Sequence, residues 1–136
     1  MKYIIDTNIL ISGLIKDSTT RKILFNKKLQ FYLPEYVLVE VNKYIPEIAK
    51  KSSLTVKNIE NLLNLILEHL NIVPFNEYKK NLERAIKIFG HIDEKDVQFI
   101  ALALSINNDG IWTNDKHFTK QDIIKVITTE DMINSL

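Results

Sequence analysis

Four carboxylates sit where the surrounding residues call for core. In "YIIDTNIL", Asp6 follows Tyr3, Ile4 and Ile5 and is followed at once by Ile9, Leu10 and Ile11. Asp115 ends "GIWTND". Glu40 lies between Val39 and Val41 in "PEYVLVEV", and in "DEKDVQFIALAL" Asp96 shares a helical face with Ile100 and Ala103. A carboxylate beside packed apolar groups takes up a proton unless something offsets its charge. The chain has only two arginines, Arg21 and Arg84, to do so, and no cysteine, so thiolate metal sites are excluded. A hard divalent cation serves all four acids at once: Mg²⁺ and Mn²⁺ take oxygen ligands and keep several waters. His69 and His91 show no two-histidine metal spacing.

Each acid also has a plainer reading. Asp6 is placed to cap the following helix. Asp93 and Asp96, three apart at a helix start, form a capping-box pattern with Asp in place of the usual Glu or Gln. Glu40 alone reads as a solvated flank residue, and Asp115 before Lys116 as a turn residue. The joint reading therefore depends on whether the fold brings the four together.

The elements that would position them follow from pattern. Residues 2–6 are a short, β-branched apolar run, read as a buried strand, with a helix over 8–15 and another from the Ser18-Thr19-Thr20 cluster to Asn26. A strand is predicted at 29–33. Pro34 suits a first helical position. In the helix that follows, Val37, Val41, Tyr44 and Ile48 fall on one stripe, and Pro46 predicts a kink or break near Tyr44 and Ile45. Thr55 is expected to cap a helix over 56–69, before a strand at 71–75. Asn76 is placed to cap a helix over 77–89 ended by Gly90, and Asp93 to cap one running to Ser105. "NNDG" is a turn signal. Strands at 111–113 and 125–128 and a helix at 130–136 close the chain. Short strands alternating with helices predict a parallel α/β sheet covered on both faces, with ligands at the carboxyl ends of the strands.

The totals bound the class. One domain is expected from 136 residues, of which 46% are hydrophobic. No signal peptide is apparent, and no apolar stretch approaches the roughly 20 residues that cross a bilayer, so a soluble, cytoplasmic protein is expected. A net charge of +1, from 18 Lys+Arg and 17 Asp+Glu, excludes a chain that coats nucleic acid through global basicity. Aromatic residues are too scattered to suggest a base-stacking platform. Loop cations that could meet a phosphate are Lys16, Arg21, Lys116 and His117, whereas Lys50-Lys51 and Lys79-Lys80 read as solvated charge.

Taken together, "YIIDTNIL", "PEYVLVEV", "DEKDVQFIALAL" and "GIWTNDKHF" resemble the PIN domain family, including the VapC-like ribonuclease toxins of VapBC toxin–antitoxin pairs. The order and spacing match over nearly the whole chain. The resemblance implies a three-layer α/β/α sandwich around a central parallel sheet, in a single PIN-like nuclease domain spanning 1–136. It implies that Asp6, Glu40, Asp96 and Asp115 are the catalytic, metal-binding quartet for Mg²⁺ or Mn²⁺. In the same match Asp93 is an auxiliary ligand or a cap, and Asn8 and Thr113 support the acids; among the loop cations Arg21 and Lys116 are the candidate phosphate contacts, with Arg21 reading equally as a solvated helix residue. The resemblance further implies an RNA substrate, a small antitoxin partner and a homodimer, with the stripe Ile59, Leu62, Leu63, Ile66, Leu67 and Leu70 read either as core or as a docking groove. Two features depart from the commonest toxin pattern: the spacing ahead of "IALAL", and Pro46 after Glu40. They leave open an RNA-processing nuclease without antitoxin. A PIN-like RNA-binding or scaffold module that has lost catalysis is the non-enzymatic alternative, against which the intact quartet argues. A receiver or phosphatase domain is disfavoured, because "IIDTN" lacks the second Asp of a DxD signature.

Overall fold

The computed structural model describes residues 1–15 and 19–136. Lys16, one of the candidate loop cations, and Ser18, which opens the second helix cluster, lie outside the described residues. Five strands, β1 (Lys2–Ile5), β2 (Gln30–Pro34), β3 (Leu70–Val73), β4 (Ile111–Trp112) and β5 (Val126–Ile127), form one sheet in the order β3-β2-β1-β4-β5. Every pairing is parallel. The helices are α1 (Thr7–Ile15), α2 (Thr19–Leu24), α3 (Tyr36–Ser52), α4 (Val56–Leu67), α5 (Leu82–Phe89), α6 (Val97–Ser105) and α7 (Thr129–Ser135).

The chain winds outward from β1 to β2 and β3, then returns past β1 to β4 and β5. Parallel crossovers are right-handed. Reversing the direction of winding therefore moves the connecting helices to the other face. Accordingly α1, α3 and α4 pack on one another, and α5 packs on α6. This is the expected three-layer α/β/α arrangement. The reversal falls between β1 and β4, and the crevice outside the carboxyl ends of two such strands is where open parallel sheets hold ligands.

β1 is covered on both faces: Tyr3, Ile4 and Ile5 are all buried, which is why the run is continuous rather than alternating. Ile5 pairs with Trp112, so the next residues on the two strands, Asp6 and Thr113, emerge side by side. The stripe is core: on α4 Ile59, Leu63 and Ile66 are buried, with Leu62 and Leu67 partly so, and Leu70, buried too, opens β3 instead of continuing the helix. Among the described residues no helix is long and apolar enough to cross a membrane.

Several local expectations are corrected. Pro34 is the last residue of β2, paired with Val73, and α3 starts only at Tyr36. α3 continues through Pro46 without a break, because Val41 and Ile45 before it and Ile48 and Ala49 after it are all buried and hold both halves to the core. Pro46 and Asn42 are exposed, so water can serve the carbonyl that loses its partner. The buried stripe of α3 runs through Ile45 instead of Tyr44, which is 45% exposed. Asn76 caps no long helix. Two 3₁₀ turns, Phe75–Glu77 and Lys79–Asn81, flank Tyr78, and α5 begins at Leu82. The cause is Tyr78 itself: fully buried, with its hydroxyl donating to Gln98 and a φ of −124°, it bends the chain out of helical geometry. Gly90 follows α5, but in right-handed rather than left-handed conformation (φ −58°).

Candidate active site

The carboxyl edge of β1 and β4 opens into a cleft of about 440 Å³. Asp6, Glu40, Asp96 and Asp115 all line it, and so does Asp93. Four separate parts of the chain deliver these acids: the turn after β1, the second turn of α3, the 3₁₀ turn Glu94–Asp96 before α6, and the turn after β4.

Asp6 is only 4% exposed. Its Oδ1 accepts from the Ile9 backbone N–H at 2.9 Å, capping α1, and its Oδ2 accepts from the Thr113 hydroxyl. The capping role and the place in the cleft therefore coexist in one side chain. Burial raises the Asp6 carboxyl above its ordinary value. The hydrogen bonds from Thr113, Ile9 and the Asn8 backbone act the other way, and Asp115 adds to the rise. Asn8 thus acts on Asp6 through its main chain, and its exposed side chain lines the cleft. The fully buried Thr113 joins two acids, because its oxygen also accepts from the Asp115 N–H at 3.0 Å. Between them Asn114 turns away. Its carboxamide accepts from the Thr129 N–H at 2.9 Å and donates to the Thr129 hydroxyl at 2.9 Å, tying β4 to α7.

Asp96 carries the largest perturbation among the acids, with its carboxyl pushed up to about 7. Burial is the main cause, followed by Asp93, both by charge and by hydrogen bond, and then by Asp6 and Asp115. These charges act on one another because they share a poorly solvated volume. Asp93 caps its 3₁₀ turn, its Oδ1 accepting from the Lys95 N–H at 2.9 Å. Asp115 likewise accepts from the His117 N–H at 2.9 Å, and its Oδ1 lies 2.8 Å from His117 Nδ1. Donor atoms of Asp93, Asp115 and His117 all lie within 4.8 Å of one another, the one such trio among the described residues. The quartet shares the cleft at wider spacing, suited to an ion that keeps waters between itself and some ligands.

Three contributors escape sequence reasoning. Thr7 donates to Glu40 Oε1 at 2.8 Å and anchors it across 33 residues. Tyr36 lies beside Glu40 and donates its hydroxyl to the Lys95 carbonyl at 3.2 Å, and burial together with the charges of Glu40 and Asp96 strongly raises that hydroxyl. His117, read as a loop cation, braces Asp115. The "DTN" threonine next to Asp6 and the "KHF" histidine two after Asp115 were the available signals. Of the candidate phosphate contacts, Arg21 donates to the carbonyls of Gly13 at 2.7 Å and Leu14 at 3.4 Å. Neither Arg21 nor Lys116 lines the cleft. Among the described residues its cations are Lys51 and Lys95.

Three comparisons bear on this arrangement. A family model described as "PIN domain" matches residues 4–136. Among curated proteins no sequence matches. Among solved structures, VapBC2 from Rickettsia felis, bound to a DNA fragment from its promoter, is similar with a TM-score of 0.70 and 18% identity. The alignment covers 94% of this chain and 98% of that one, and at that identity the likeness is one of fold.

Proposed function

This chain belongs to the PIN domain family, and from that premise we propose that it is a divalent-metal-dependent ribonuclease, the toxin of a toxin–antitoxin pair. The observation that carries the reading is the gathering of Asp6, Glu40, Asp93, Asp96 and Asp115 from distant parts of the chain into one cleft at the switch point of the sheet. The similar solved structure is that of a VapBC pair, which supports an antitoxin partner.

The donor set fits a hard cation. Apart from His117 it consists of carboxylate oxygens, and the raised Asp96 carboxyl marks buried acids crowded against one another. Asp6, Asp96 and Asp115 would hold Mg²⁺ or Mn²⁺, with Asp93 alongside and Glu40 reaching it through water. When bound, such an ion lowers the pKa of a coordinated water and offsets charge on the phosphate oxygens. The chain's own task is then positioning. Thr113 keeps Asp6 and Asp115 in register, Thr7 fixes Glu40, and His117 restrains Asp115. Lys51 and Lys95 draw the phosphate chain towards an otherwise acidic rim. No side-chain nucleophile is required: water attacks phosphorus in line and, as the family resemblance implies, the 3′-oxygen leaves, giving 5′-phosphate and 3′-hydroxyl ends.

The test is cleavage of labelled RNA with Mg²⁺, Mn²⁺ or EDTA, comparing wild type with Asp6→Asn and Asp96→Asn. Cleavage is expected only with metal and only in wild type. Metal-independent cleavage, or full activity in both variants, would overturn the reading. A short neighbouring gene for a DNA-binding antitoxin is expected beside this one, and its absence would favour a processing nuclease.

A further inference from the structure

Five of the six acids that line the cleft gather at one end, and the sixth, Glu47, is paired with Lys51 at the other. There α1 and α3 lie side by side, and each presents a stripe along its length. On α1, Ile11 and Ile15 follow Thr7 at steps of four. On α3, Tyr44, Ile48 and Lys51 follow Glu40 at steps of four, four and three. The α3 stripe extends about 16 Å from the acids at 1.5 Å per residue. The result is an apolar shelf that begins at the acids and ends at a lysine.

Tyr44 is the unusual member. Most aromatic rings here are spent on one another: Phe31 with Trp112, Phe89 with Phe118, Tyr36 with Phe99 and Phe75 with Tyr78. Tyr44 stacks on no ring and its hydroxyl bonds no group among the described residues, yet it lines the cleft at 45% exposure. Lys51 at the far end pairs with Glu47 at 3.3 Å, but both side chains are more than half exposed. Such a pair is weak and gives way readily to a phosphate.

We infer that this shelf is a nucleobase subsite: a base flanking the scissile phosphate stacks on Tyr44 beside the partly exposed Ile11 and Ile15, and the adjoining phosphate meets Lys51. The inference rests on the ribonuclease reading and adds to it. A phosphodiester held at the acids brings its neighbouring nucleotide with it by covalent connection. A protein segment, by contrast, would have to be recruited separately. The shelf offers a flat π face, apolar support and one cation, which suit any base and read none by hydrogen bonds. Because the base must leave its own stack to lie there, the subsite selects unpaired RNA.

The test uses a short single-stranded RNA, intact or with one abasic position beside the cleavage point. Half-saturating RNA is measured in single-turnover cleavage with Mn²⁺, and Kd by fluorescence anisotropy in an Asp96→Asn background. Tyr44→Ala is expected to raise both about 5- to 100-fold, the range for losing a base–aromatic stack, while Tyr44→Phe restores them. The abasic strand is expected to bind equally well with and without the Tyr44→Ala substitution. Tyr44 is exposed, so the substitution does not threaten folding. If wild type cleaves and Tyr44→Ala shows unchanged half-saturation, or Tyr44→Phe fails to restore it, the subsite is overturned while the nuclease reading stands, and the shelf is left to a protein segment. If wild type cleaves no single-stranded RNA, both fall.

Discussion

The two edges of the sheet use the same kinds of residue to opposite ends. At the amino edge, Asp109 Oδ2 accepts from the Lys2 N–H at 2.8 Å while its own N–H reaches the Lys2 carbonyl at 2.7 Å. Asn108 donates to the Ala103 and Ile106 carbonyls, each at 2.9 Å, and accepts from Gly110 at 3.0 Å. Each of these polar side chains meets a backbone partner, and the turn is closed. At the carboxyl edge Asp6 is hydrogen-bonded just as fully, yet it shares its cleft with five more acids, Glu40, Glu47, Asp93, Asp96 and Asp115. Size does not separate the two edges, since the amino-edge depression, about 530 Å³, is larger than the acidic cleft at about 440 Å³. What separates them is company. A carboxylate matched to donors completes a turn, whereas carboxylates gathered against one another in poor solvent raise each other's proton affinity and call for a cation.

The contrast is broken most directly by neutralising one acid at each edge. Asp96→Asn or Asp6→Asn is expected to lower RNA cleavage at least about a hundredfold, the scale of losing one preorganised electrostatic group. Asp109→Asn is expected to leave it unchanged. Wild-type cleavage by Asp96→Asn would erase the distinction. The supporting hydroxyls come next. Thr7→Val and Thr113→Val keep side-chain shape but free a carboxylate from its anchor, and each is expected to raise the Mn²⁺ needed for half-maximal activity about 10- to 100-fold. A metal titration that coincides with wild type would reduce these threonines to packing.

A pH experiment sharpens the comparison further. The Asp96 carboxyl is raised from 3.8 to about 7 and that of Asp6 is raised as well. The folded state thus holds protons that the unfolded chain has already released, and metal-free stability falls as pH rises from about 4 to 7. In EDTA the melting temperature is expected to drop across that window, and added Mg²⁺ or Mn²⁺ to restore it above pH 7 by binding the folded state. A flat profile in EDTA would contradict the crowding of charge at this edge. The smallest effect on activity belongs to the amino edge. Gly110 has a φ of +139°, and a Cβ there would lie 2.9 Å from the Lys125 carbonyl oxygen. Gly110→Ala is expected to lose about 1–3 kcal/mol in urea unfolding with cleavage per folded molecule retained. Lost activity in molecules that remain folded would tie the two edges together.

Much of this was legible in the sequence because it is local. The apolar runs "YII", "FYL" and "GIW" became β1, β2 and β4, and Thr55 caps α4 by accepting from the Asn58 N–H at 3.1 Å. Glu40 and Asp96 could be singled out because each stands among apolar residues at helical spacing in the sequence, although Asp96 itself ends the 3₁₀ turn ahead of α6. Where distant packing governs, local pattern failed. Burial of Tyr78 delayed α5 past Asn76, and burial around Pro46 kept α3 whole.

By itself, the sequence determined which acids stand against apolar surroundings, and that the chain alternates strand and helix. Both are matters of nearest neighbours and of period. Only the tertiary structure decided that these acids share one volume, that Thr7 and His117 brace two of them, that Arg21 turns to backbone carbonyls instead, and that Tyr44 faces the cleft while Ile45 enters the core. Those outcomes depend on where the winding of the sheet reverses and on how α1 meets α3. They are contacts between residues far apart in the chain, about which no short stretch carries information.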